Sequence, residues 1–210
     1  MKKLFILALC GLFALSACDR KKNVQPVEPQ SDTTEVVAAL NVEHAIATDK
    51  EEMYAQYNKD YMWFETSVVY KDFLDEETTG EVEEILNVFQ VVEKFSETCY
   101  DVYVVQFDYT ADGRATQVNH SFWIEDSPLR DGDVNITFDE AFQKLMEANL
   151  PKPHSRHCVL RKEVGSKEAN AQYVFGNTME TVYVDAVTGE VRDYDPAFGP
   201  ELAKPLGEWP

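Results

Sequence analysis

The sequence predicts an α+β protein of two tandem units, each a helix packed on an antiparallel β-meander. Three observations carry that expectation. Two helix starts of the capping-box kind occur, Thr48-Asp49-Lys50-Glu51 and Thr137-Phe138-Asp139-Glu140; in such a box the N-cap hydroxyl and the carboxylate three residues on satisfy backbone N–H groups that the first turn leaves unpaired. Each box is followed by runs rich in β-branched and aromatic residues, the composition of half-buried strands. The 210 residues are 44% hydrophobic, enough for a substantial core. With 19 Lys+Arg against 38 Asp+Glu the formal charge is −19. A chain this acidic repels phosphate, which argues against nucleic acid as a partner.

The first unit, residues 36–133, opens with a helix from Thr48 to about Lys59. Tyr61 to Leu74 then reads as strand, and Asp75 to Gly80 as an acidic turn. Val82 to Phe95 has a helical option at its start, but Val88-Phe89-Gln90-Val91-Val92 favours strand. Asp101 to Tyr109 is the clearest strand, and Asp112-Gly113 supplies the positive-φ positions of a tight hairpin. Arg114 to Glu125 returns, with Val118, His120, Phe122 and Ile124 on one face at period two. The second unit, residues 134–195, starts with an amphipathic helix whose stripe is Phe138, Ala141, Phe142, Leu145 and Met146. Asn149, Pro151 and Pro153 stop it. Arg156–Val164, Ala171–Phe175 and Glu180–Asp185 read as strands, with a turn at Val187–Glu190 and a short Val191–Asp193. Residues 196–210 are a proline-rich tail.

The N-terminus reads as an address. Met1-Lys2-Lys3 is a positive n-region and Leu4–Ala14 an apolar stretch too short to span a bilayer. Leu15-Ser16-Ala17-Cys18 resembles the lipobox of bacterial lipoproteins. The resemblance implies removal of residues 1–17 as a signal peptide and acylation of Cys18 by diacylglycerol, with palmitate among the acyl chains. Each buried CH₂ of such chains contributes about 0.8 kcal/mol to membrane binding. Residues 18–35 then form the lipidated cysteine and a polar, proline-containing tether. The implied location is the bacterial cell envelope, with the body outside the cytoplasm; inner and outer membranes both stay open.

Residues 137–194 resemble a PepSY domain. The resemblance is carried by Thr137-Phe-Asp-Glu-Ala141 and by Thr181-Val-Tyr-Val-Asp-Ala-Val-Thr-Gly-Glu-Val191, similar to the family's closing hairpin. It implies a PepSY/cystatin-like helix on an antiparallel sheet and an extracytoplasmic binding or inhibitory role, with a peptidase as one candidate partner. The first unit departs from the pattern, carrying Ser127-Pro128 where the second has Thr188-Gly189.

Local motifs for catalysis are absent from the sequence, and no catalytic residue, metal or cofactor is expected. Cys99 and Cys158 are either a disulfide or two free thiols. A bridge would close a loop of about 60 residues and contribute roughly 4 kcal/mol in the chain-entropy model. His154, His157 and Cys158 resemble a fragment of a metal site but read better as residues flanking a strand. Trp63 and Tyr61 share a strand face and are the candidate ligand or partner surface. The expected function is therefore a lipid-anchored, non-enzymatic binding or inhibitory module that presents a sheet surface to an extracytoplasmic protein. The alternative is a small-ligand or glycan-binding lipoprotein with an aromatic-lined concavity. A third option, a hydrolase using paired carboxylates, needs two acids facing one cleft.

Overall fold

The computed structural model describes residues 40–193 apart from 95, 97–98, 124–125, 131, 164–169 and 178–179. The expected signal segment (1–17), Cys18, the expected tether and the tail lie outside the described residues. The elements are α1 (Val42–Tyr57), β1 (Tyr61–Tyr70), β2 (Val82–Lys94), β3 (Tyr100–Thr110), β4 (Gly113–Asn119), β5 (Asp126–Ser127), α2 (Phe138–Glu147), β6 (His157–Glu163), β7 (Gln172–Gly176), β8 (Thr181–Asp185) and β9 (Val191–Asp193).

Eight strands form one continuous antiparallel sheet in the order β4-β3-β2-β1-β6-β7-β8-β9, with β5 paired onto the end of β6. This corrects the expectation of two tandem helix-plus-meander units. The meanders exist, but Glu65–Val69 of β1 pairs with His157–Arg161 of β6 and joins them into a single sheet. The physical reason is edge protection. Two separate meanders would leave β1 and β6 each with an unpaired row of backbone groups, and the seam removes both edges at once. The buried faces of α1 and α2 enter one core with alternate residues of β1–β3 and β6–β8. A hydrogen bond also links the helices: Phe138 N donates to Glu43 Oε1 at 2.7 Å, placing an α1 carboxylate at the positive end of α2.

The first helix differs from its sequence reading as well. It starts at the N-cap Asn41, whose side chain accepts from His44 N at 2.7 Å, and the Thr48 box lies inside it. Its buried stripe is Val42, Ala45, Asp49 and Met53, at the helical spacing of three and four. The carboxylate in the middle of that stripe hides the apolar period. The second helix has its capping box in place, with Thr137 and Glu140 bonding reciprocally, and buries Phe138, Ala141 and Leu145. β2 is strand throughout its length, so the helical option at its start is not taken. β4 ends at Asn119, earlier than expected, and all seven of its residues are exposed. Val118 and Phe122 therefore face solvent rather than a core. β4 is one of the two edge strands of the sheet, β9 being the other, and its period-two pattern has no helix over it. Cys99 is exposed and Cys158 fully buried in β6, and both are free thiols.

The hairpin between β8 and β9 turns on Asp185. Its Oδ1 accepts from Val187 N at 2.9 Å and Thr188 N at 2.7 Å, and its Oδ2 from Asn170 Nδ2 at 2.9 Å. Gly189 adopts φ +74, where a Cβ would also meet Lys144 Cε at 2.4 Å. Burial raises the Asp185 pKa, but the donors from Thr188, Asn170, Val187 and Gln172 outweigh it and hold the carboxyl at about 2. A carboxyl depressed in the fold stabilises it above the unfolded value near 3.8, and that contribution is lost as pH falls toward 2. Discounted for partial exposure, Asp185→Ala is expected to cost about 1–2 kcal/mol at pH 7. Urea unfolding from pH 7 down to 2.5 checks this: the gap between the two proteins should narrow below about pH 4, and a pH-independent gap refutes the linkage.

Candidate functional site

The sheet end near the close of α1 brings the two sequence-selected aromatics into a groove. β1 carries both. A bulge falls between Trp63 and Glu65, where Trp63 pairs with Phe89 and Glu65 with Val88, so Phe64 is the extra residue. The bulge is why Trp63 and Phe64 are both buried instead of alternating. Trp63 is 6% exposed. Its Nε1 donates to Glu65 O and Thr66 Oγ1, each at 3.2 Å, and its carbonyl accepts from Leu129 N at 2.7 Å. The Lys50 ammonium lies 3.8 Å from the centre of its ring. Tyr61 is half-buried, packs edge-on against Phe89, and donates from its hydroxyl to Lys50 O at 3.3 Å. Both side chains line a concavity of about 560 Å³ between the last turns of α1 and residues 128–130. Among the described residues its other charged and aromatic lining residues are Lys50, Lys59, Arg130 and Tyr54, with no carboxylate. Trp63 and Lys50 also border an apolar hollow of about 340 Å³ that runs under α1 toward Phe138 and Tyr173. The stacked pair thus forms the wall between the two.

Behind the groove lies a polar network that sequence reading missed. Asp49 is completely buried in α1. Its Oδ2 accepts from Asn87 Nδ2 at 2.6 Å, and its Oδ1 from Tyr109 OH at 2.6 Å and Arg114 Nη2 at 2.8 Å. Asn87 accepts in turn from Thr66, which accepts from Trp63. One carboxylate therefore ties α1 to β1, β2, β3 and β4. Burial pushes the Asp49 pKa up, opposed by the hydrogen bonds from Tyr109, Asn87 and Arg114. The available signal was the stripe itself, a carboxylate at a position where the helical period calls for an apolar side chain.

Two other places carry chemistry-bearing groups. His154 is not grouped with His157 and Cys158. Its Nδ1 lies 3.0 Å from Asp75, its ring stacks on Phe73 at 4.3 Å, and its backbone N donates to Glu180 Oε2 at 3.0 Å. His157 is exposed on β6, and Cys158 points into the core. Asp75, Glu180 and Asp193 line an open cleft of about 370 Å³ beside His154. Glu43, Glu81 and Asp139 likewise border a smaller hollow of about 230 Å³, and among the described residues the His154 ring hydrogen-bonds only Asp75. No group of three or more His, Cys, Asp or Glu is placed to hold a metal ion among the described residues. The third place is the outer edge of the sheet. β4 pairs with β3 from Gly113 to Asn119 without a register shift. Its single charged residue, Arg114, is turned to Asp49 and Glu52. Of the exposed large apolar side chains among the described residues, Val118 lies on β4, Phe122 just beyond it, and Tyr100 at the start of β3.

Comparison of this chain with protein-family models, with curated proteins and with solved structures gives no match. A functional reading therefore rests on the geometry above. The network itself is testable. Asp49→Ala strips the acceptor from three buried or half-buried donors, and breaking a buried charged pair of this kind costs about 3–5 kcal/mol. Glu51→Ala, exposed on the same helix, should change stability by under about 0.5 kcal/mol. Urea denaturation of both variants decides it, and equal small losses would mean that the network contributes nothing.

Proposed function

We propose that the chain is a lipid-anchored, non-enzymatic binding module of the bacterial cell envelope that receives an extended segment of an extracytoplasmic protein along the β4 edge. The observation that carries this reading is the state of that edge. A seven-residue strand with every residue exposed and no register shift offers a straight row of backbone donors and acceptors. Sheet edges are ordinarily blunted by lysines, prolines or bulges. β4 has none of these, and its one arginine is committed to α1. An added strand gains main-chain hydrogen bonds at such an edge, while side chains such as Val118 supply the selective contacts. A peptidase remains the partner that the PepSY resemblance suggests. The lipobox resemblance at Cys18 supplies the anchor, and the strongly acidic body would then be held at the membrane by acyl chains rather than by charge.

A second reading is favoured by the concavity bordered by Trp63 and Tyr61, which has the size of a small-ligand site. In that reading the protein is a small-ligand or glycan-binding lipoprotein.

Palmitate labelling in cells tests the anchor, and a photo-crosslinking residue at Val118 tests the edge. The wild-type chain should take up label and fractionate with membranes, and Cys18→Ala should do neither. The Val118 probe should give one discrete adduct with an envelope protein, and a Thr116→Lys variant carrying the same probe should lose it. A labelled protein whose probe yields no adduct, or an adduct indifferent to Thr116→Lys, overturns the edge as the docking surface.

A further inference from the structure

We infer that the groove between the end of α1 and residues 128–130 binds an acidic sugar, a uronic acid or short oligouronate, with the ring against Tyr54 and Tyr61 and the carboxylate toward Lys59 and Arg130. This rests on the second reading above and names its ligand class. The first observation is an inversion of charge. The chain as a whole is at −19, yet among the described residues this concavity is lined by Lys50, Lys59 and Arg130 and by no carboxylate. Elsewhere in this acidic protein several cations are paired with acids, as Lys71 is with Glu81 and Lys162 with Asp133. Lys59 and Arg130 form no ion pair among the described residues, and both are exposed. Asp133, three residues on from Arg130, accepts from the Arg130 backbone and already holds Lys162 at 3.3 Å.

The second observation is the aromatic lining. Tyr54 is 55% exposed on the groove wall, where the core has no use for it. Tyr61 is fixed by its bond to Lys50 O, and Trp63 by its two acceptors and the Lys50 ammonium stacked on it. Exposed aromatic faces beside a fixed wall suit the apolar face of a pyranose ring, and neighbouring cations suit a carboxylate on that ring. A volume of about 560 Å³ accommodates a short oligosaccharide. Anion attraction into a cationic groove set in an acidic surface also makes recognition selective, because the rest of the surface repels the same ligand.

Calorimetric titration of the full-length protein in detergent with tetragalacturonate tests this, with maltotetraose as the neutral ring and tetraglutamate as the charge without a ring. Tetragalacturonate should bind, weaken several-fold between 50 and 300 mM salt, and lose about tenfold or more in affinity in Arg130→Ala and in Lys59→Ala. Lys59 also follows the C-terminus of α1, where a cation is favoured on structural grounds alone. If that is its whole role, Lys59→Ala will lower Tm and leave affinity unchanged, which overturns its assignment. Maltotetraose binding as well as tetragalacturonate would overturn the acidic class while leaving a glycan groove standing. Equal binding of tetraglutamate would show that charge alone is recognised and overturn the sugar. No binding by any of the three would remove the groove reading altogether.

Discussion

Asp49 sits at 0% exposure in the middle of the buried stripe of α1, where a carboxylate has lost its water and must find donors inside the protein. It finds three, on β2, β3 and β4, and through Asn87 and Thr66 its influence reaches Trp63 on β1. An apolar residue there would let α1 slide or rotate over the sheet at small cost, since burial is non-directional. A carboxylate with several bonded partners has one low-energy position, so the helix is registered against four strands at once. The groove wall and the outer strand both follow from it. Lys50, the next residue, is thereby placed over the Trp63 ring, and Arg114 is drawn inward so that β4 keeps no outward charge.

The join between β1 and β6 is the second constraint, and it shows where sequence reading stops. The strands themselves were legible because alternation of apolar residues is local; so was α2, whose stripe and capping box lie within one short stretch. The seam was not, because pairing of Glu65–Val69 with His157–Arg161 spans some ninety residues and leaves no mark in either segment. What a sequence shows is an aromatic and β-branched β1 and a β6 that mixes Cys158, Val159 and Leu160 with charged residues. It does not show which edge finds which. The error in α1 has a different origin. Thr48 and Glu51 have the right spacing for a helix start, but Asn41 caps one full stripe earlier, and the residue that interrupts the apolar period is the one that locks the helix down.

The candidate site was legible by halves. Alternation along β1 put Tyr61 and Trp63 on one face, and they do share a concavity. The opposite wall, Pro128 to Arg130, arrives from the far side of the sheet after β4, and its placement depends on the Leu129 N to Trp63 O bond at 2.7 Å. The cations of the groove could not be weighed from sequence either. A Lys or Arg in a chain with twice as many acids reads as a partner for one of them, and only the fold shows that Lys59 and Arg130 gather around aromatics instead.

The two proposed surfaces answer the same physical problem in opposite ways. An acidic body is protected from nonspecific association by self-repulsion, so any partner must be met where that repulsion is locally cancelled. At the groove, cancellation comes from Lys59 and Arg130, which form no ion pair among the described residues. At β4 it comes from having almost no charge at all, because Arg114 is internally neutralised and the remaining six residues, Gly113, Ala115, Thr116, Gln117, Val118 and Asn119, are uncharged. The seam matters here too. By consuming the edges of β1 and β6, it concentrates the remaining capacity for strand addition among β1–β4 on the outer side of β4. A fold that removes two edges by pairing and leaves β4 flat and uncharged has not blocked strand addition everywhere; at that end of the sheet it has confined it to a strand fastened to α1 through Arg114. An open edge of this kind carries aggregation risk, and the lipid anchor proposed at Cys18 would limit it by keeping each copy at a membrane surface, away from free encounter in three dimensions.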